Sequence, residues 1–131
     1  MPTEVAHDLM PSAETLLARS QALLKELEPN PAAVGLTGDL RKVCESVNRL
    51  LEALRITTAE HGGSATRAEA RHKLATPLNH VIGYCELWID EDNPCLARQI
   101  DELLIIRSLA WRLLYRIGLL LGNGSEIRVT D

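Results

Sequence analysis

Asp39-Leu40-Arg41-Lys42-Val43-Cys44-Glu45-Ser46-Val47-Asn48-Arg49-Leu50-Leu51-Glu52-Ala53-Leu54 places apolar side chains at 40, 43, 47, 50, 51 and 54. Steps of three and four draw one stripe along a helix and fit no strand, whose period is two. The stripe predicts a helix from about Leu36 or Thr37 to Ala59, stopped by His61-Gly62-Gly63. The same reading applies on both sides. Leu9, Leu16, Leu17, Leu23 and Leu24 recur at helical spacing, predicting a first helix over about 3–27. Glu28-Pro29-Asn30-Pro31 ends it, because a residue before proline is pushed out of the helical region. Ser64 is a candidate N-cap for a third helix running to about Asp90, with Pro77 inside it and a bend expected near Lys73 and Leu74. Asn93-Pro94 predicts the start of a fourth, as a capping residue followed by proline at the first helical position, and Gly122-Asn123-Gly124 closes it.

Long helices with short connections favour antiparallel neighbours, so the expected fold is all-α, an antiparallel four-helix bundle built from two helical hairpins. Composition agrees. There is no Phe and aromatics are 3%, so the core must be aliphatic, which suits packed helices. The expected domain spans 1–122, with hairpins at about 3–60 and 64–122. Residues 123–131 read as a tail or the start of a linker.

The two hairpins echo each other. Ala6-His7-Asp8-Leu9 precedes Arg71-His72-Lys73-Leu74 by 65 positions, and Arg49-Leu50-Leu51 precedes Arg112-Leu113-Leu114 by 63. This pattern fits a duplicated hairpin. It also fits two unrelated leucine-rich hairpins, and both readings stay open at this point.

Several function classes are disfavoured. The net charge of −4 offers no basic surplus for nucleic acid. Cys44, Cys85 and Cys95 are odd in number and lack C-x-x-C spacing, so they read as reduced, buried thiols and not as a disulfide framework or zinc cluster. His72 and His80 lie eight apart with no acidic or sulfur ligand at intermediate helical spacing, so no metal site is expected. No cofactor is expected either, since no Gly-rich nucleotide loop occurs. Leu103 to Leu121 is greasy enough to test as a membrane span, but Arg107, Arg112 and Arg116 lie inside it and would be costly at a bilayer centre. The start Met1-Pro2-Thr3-Glu4 has no basic region or apolar run of a secretion signal, and a cytoplasmic protein is expected.

The segment with chemistry in it is Arg71-His72-Lys73-Leu74-Ala75-Thr76-Pro77-Leu78-Asn79-His80-Val81-Ile82-Gly83-Tyr84-Cys85-Glu86-Leu87. It resembles the H-box of histidine-kinase dimerisation and phosphoacceptor domains, written H-E-L-R-T-P-L-N with a following G-Y-x-E-L. The match runs through His72, Leu74, Thr76, Pro77, Leu78 and Asn79 and continues through Gly83-Tyr84 and Glu86-Leu87. The resemblance covers about Ala65 to Leu121; the first half shares it only through the echo. It implies a two-component signalling module in which His72 is the phosphoacceptor and Thr76 positions water for dephosphorylating a partner. The implied partners are a response-regulator receiver domain or a sensor kinase.

The departures matter as much. Lys73 stands where the family has an acid, and an ammonium cannot accept a hydrogen bond from the imidazole. No ATP-binding domain is evident, so autonomous kinase activity is not expected, although a fragment of a histidine kinase fits. The alternative is a catalytically inactive dimerisation or docking scaffold of a larger signalling protein. His7-Asp8 keeps an acid after the histidine but has Pro11-Ser12 where Thr-Pro-Leu is expected, and reads as a degenerate second site. Trp88, Trp111 and Tyr115 are expected as packing anchors, and Glu45, Glu52, Asp101 and Glu102 as solvated faces. The helix at 94–121 is apolar almost all round. It is expected to bury a second face in a homodimer or against a docked domain.

Overall fold

A computed structural model of the protein describes residues 2–59 and 67–121, with side chains over 7–56 and 67–121. Four long helices form an antiparallel bundle: α1 (Pro2–Leu27), α2 (Val34–Ala59), α3 (Arg67–Glu91) and α4 (Ile100–Leu121). No strand occurs among the described residues. Each helix packs mainly on two others, in the cycle α1, α2, α3, α4 and back to α1. Cross-links between α1 and α4 fix their opposite directions: Asp8 meets Arg116, and Arg19 meets Glu102.

The core follows the helical stripes. Leu9, Ala13, Leu16, Leu23 and Leu27 face inward from α1, and Leu40, Val43, Val47, Leu50 and Leu54 from α2. α3 contributes Leu74, Leu78, Val81, Cys85 and Trp88; α4 contributes Leu103, Ile106, Ala110, Leu113 and Ile117. Tyr84 stacks on Trp88, ring centroids 5.4 Å apart. Buried hydroxyls find local partners: Ser20 donates to the Leu16 carbonyl at 2.8 Å, and Thr37 to that of Val34 at 2.9 Å. Such back-bonding satisfies a polar group without a cross-helix network.

The same device opens both hairpin turns. Asn30 accepts from the backbone N–H of Ala32 and Asn93 from that of Cys95, each followed by proline and a three-residue 3-10 turn, Pro31–Ala33 and Pro94–Leu96. The two turns touch, with the Cys95 thiol 3.7 Å from the Ala32 carbonyl. The expected start of the fourth helix at Pro94 is therefore corrected. Asn93 caps the 3-10 turn, residues 97–99 form a further turn, and the α-helix begins at Ile100. Its first α-type bond runs from Leu103 N–H to the Gln99 carbonyl. α2 begins earlier than expected, directly after its own 3-10 turn. Asp92 ends α3 with φ of 53°, a left-handed conformation that Asp tolerates better than most residues. The expected Ser64 cap, the His61-Gly62-Gly63 stop and the tail at 123–131 lie outside the described residues.

Burial repeats between the halves with the spacing of the sequence echo. Leu9, Ala13, Leu16, Ser20 and Leu23 are buried, as are Leu74, Leu78, Val81, Cys85 and Trp88, each 65 positions on. Leu40, Val43, Val47, Leu50 and Leu54 correspond to Leu103, Ile106, Ala110, Leu113 and Ile117 at 63. Residue size is exchanged within the pairs: Ala13 answers Leu78, and Ala110 answers Val47.

No helix among the described residues is long and apolar enough to cross a membrane. If the inward seam holds the bundle, Leu78→Ala should cost about 2–5 kcal/mol in urea unfolding, whereas Leu87→Ala, on an exposed position, should cost well under about 1 kcal/mol.

Candidate phosphoacceptor site

The inward positions on α3, at 74, 78, 81, 85 and 88, alternate steps of four and three. At 100° per residue this phase turns positions 72, 76, 79 and 83 away from the core. His72, Lys73, Asn79 and His80 are exposed, and Thr76 is half-buried. His72, Thr76 and Asn79 thus lie one above the next along a polar stripe. Among the described residues, no side chain hydrogen-bonds or ion-pairs with the His72 ring.

The hydroxyl of Thr76 donates to the backbone carbonyl of His72 at 2.8 Å. In this arrangement its proton is engaged by the helix, and its oxygen is left as an acceptor on the outer face. One residue on, Pro77 is buried and α3 runs through it without interruption. Proline lacks the N–H that would reach the Lys73 carbonyl, so the backbone beside His72 is held by fewer bonds than an ordinary turn. The Lys73 ammonium is exposed and supplies positive charge where the resemblance would place a carboxylate.

The first hairpin is built differently. His7 is exposed, but the Asp8 carboxylate forms an ion pair with Arg116, and the same guanidinium reaches the Asp8 carbonyl at 3.3 Å. Asp8 is thereby tied to α4 and not to the neighbouring histidine. Pro11 sits inside α1, and the Thr15 hydroxyl donates to its carbonyl at 3.0 Å. In the positions matching Thr76-Pro77-Leu78-Asn79 stand Pro11-Ser12-Ala13-Glu14.

Two expectations are corrected. Trp88 is a packing anchor, but Trp111 and Tyr115 are exposed, because they lie off the inward phase of α4. Glu102 is not a freely solvated residue; it is half-buried and accepts from Arg19 at 2.9 and 3.0 Å. A groove of about 590 Å³ between α1 and α4, which the linear sequence did not reveal, is lined by Arg19, Glu26, Arg98, Gln99 and Glu102 among others. It shares no residue with the His72 stripe, and Gln99 and Glu26 bond to each other within it. Among the described residues no group of three or more His, Cys, Asp or Glu is placed to hold a metal ion.

Behind the stripe, burial pushes the Cys85 thiol up to about 12, with Arg107 opposing and Glu86 adding slightly. Cys44 is raised as well, first by burial and then by Glu45. Below pH 9.0, the ordinary thiol value, folded and unfolded chains both hold the Cys85 proton and its contribution to stability is full. Above it the unfolded chain releases the proton first, so stability should fall between about pH 9 and about 12 in urea titrations. Cys85→Ser, whose hydroxyl does not titrate there, should flatten that fall. A thiol reagent at neutral pH should label Cys95, which is half-buried, before Cys44 and Cys85.

Compared with protein-family models, with curated proteins and with solved structures, the chain matches none of them.

Proposed function

We propose that the chain is a histidine phosphotransfer module of two-component type, with His72 as the phosphoacceptor. The observation that carries this reading is the exposed His72 on the outer face of α3, in one stripe with Thr76 and Asn79, within a segment resembling the H-box. A neutral imidazole nitrogen attacks the phosphorus of a receiver's aspartyl phosphate. A nitrogen–phosphorus bond forms, the acyl phosphate bond breaks, and the receiver's carboxylate leaves. The reverse step returns the phosphoryl group to an aspartate. Arg71 and Lys73 add positive charge beside the acceptor, which favours approach of an acidic, phosphorylated surface. Pro77 loosens the adjacent backbone, so the turn can adjust as the receiver docks. Second-site chemistry at His7 is not part of the proposal, because Asp8 is engaged by Arg116.

A second reading, a docking scaffold without transfer, draws its support from Lys73. With an ammonium in place of the carboxylate, the imidazole lacks the acceptor that would make its attacking nitrogen a better nucleophile.

Incubation with a phosphorylated receiver or a small acyl phosphate separates the two. Transfer predicts an acid-labile, base-stable label that is lost in His72→Ala and retained in His7→Ala. Lys73→Glu should raise the rate of labelling at least ~10-fold. Absence of label with every donor, in wild type and in Lys73→Glu alike, would leave the scaffold reading.

A further inference from the structure

The correspondence of buried positions makes the seams of the bundle comparable place by place. Leu9, Leu50 and Leu54 are buried, and so are Leu74, Leu113 and Ile117, which stand 65, 63 and 63 positions on. The seam between α1 and α4 thus has its counterpart in the seam between α3 and α2. Beside those core residues, Asp8 answers Lys73 and Arg116 answers Ala53. Exposure follows the same matching: Asp8 and Lys73 are exposed, and Arg116 and Ala53 are half-buried.

One seam is closed by an ion pair at this place and the other is not. Asp8 and Arg116 join α1 to α4. On the opposite side Lys73 brings an ammonium, and Ala53 brings a methyl where the first seam has a guanidinium. Among the described residues no carboxylate pairs with Lys73. Glu52, the α2 acid next to Ala53 in sequence, is held by Arg55 at 2.9 Å. Lys73 directly follows His72, so this ammonium stands beside the imidazole that a phosphoryl donor must approach.

We propose that Lys73 is a docking residue: a carboxylate on the surface of the phosphorylated receiver makes with it the ion pair that the chain makes for itself, through Asp8 and Arg116, on the opposite seam. The proposal rests on the reading of His72 as phosphoacceptor and names what recognises the donor. Ala53 sets no large side chain against the incoming acid. At the edge of a docked surface, water is partly excluded, which strengthens the pair relative to one in open solvent. An ammonium suits this use, being a compact charge on a flexible stem with three donors. Where the H-box resemblance would place a carboxylate acting on the imidazole, this chain then carries a contact to the partner.

Transfer kinetics test the proposal with the receiver that labels the wild type and with acetyl phosphate as the small donor. Lys73→Ala should raise KM for the phosphorylated receiver at least ~10-fold and leave labelling by acetyl phosphate unchanged. Added salt should raise the wild-type KM for the receiver and have little effect on that of Lys73→Ala. Lys73→Glu should label faster with acetyl phosphate yet show the raised KM for the receiver. The matching of the seams is tested within the chain by Ala53→Glu, which should pair with Lys73 as Arg116 does with Asp8. Its urea midpoint should exceed that of Ala53→Gln, and the difference should vanish when Lys73→Ala is added. Its KM for the receiver should rise as in Lys73→Ala. A receiver KM that Lys73→Ala does not move, with His72 still labelled, overturns the inference and leaves the reading of His72 standing. Equal midpoints for Ala53→Glu and Ala53→Gln overturn it as well. No label on the wild type from any donor overturns both. If Ala53→Glu does not fold, Lys73→Ala still decides.

Discussion

The rotation of α3 about its own axis governs where His72 stands. Leu74, Leu78, Val81, Cys85 and Trp88 lock that rotation by filling one side of the core. Turning the helix by one residue would swing Arg71 or Lys73 toward the seam. Carrying a charged side chain into the apolar seam costs several kcal/mol, far more than any surface contact could return. The alternating apolar spacing therefore does two jobs at once. It closes the bundle, and it holds an imidazole outward at a fixed azimuth, with Thr76 and Asn79 in line beneath it.

The two hairpins share an architecture but not a surface. Their buried positions correspond, their turns open with the same Asn-Pro pair, and those turns lie in contact. On the outside the halves part. The second hairpin leaves Lys73 in solvent beside His72, while the first spends Asp8 on Arg116. Repetition of buried positions at constant spacing is what a duplicated hairpin would leave behind, and it gives the echo in the sequence a physical counterpart. One hairpin then retains the polar stripe and the other supplies the complementary half of the core.

Most of the fold was legible because helical periodicity is local. The stripes at 40, 43, 47, 50 and 54 and at 103, 106, 110, 113 and 117 are written in single residues, and each is buried. The start of α4 was not legible. Asn93 carries a sound capping signal, but its side chain serves a 3-10 turn, and nothing local distinguishes the two uses. Trp111 and Tyr115 were misread by residue type, although their phase relative to Leu103 and Ile106 already set them off the core. The exposure of His72 was readable in the same way, from its phase relative to Leu74 and Leu78 on α3. The bond from Thr76 to the His72 carbonyl was not, since it depends on a side-chain rotamer. Pairs such as Asp8 with Arg116, and Arg19 with Glu102, join residues far apart in the chain, and no local pattern announces them.

Containing both hairpins in one polypeptide alters how this core can change. Where two identical hairpins associate, each substitution enters twice and must be tolerated opposite its own duplicate. Here Ala13 stands where the other half has Leu78, and Ala110 where it has Val47. A methylene lost from one helix can be restored on another, and a reactive side chain can be kept on one half while its counterpart drifts. Covalent continuity thus frees the molecule from enforced sameness, and lets a fold with near-twofold form present two different outer faces.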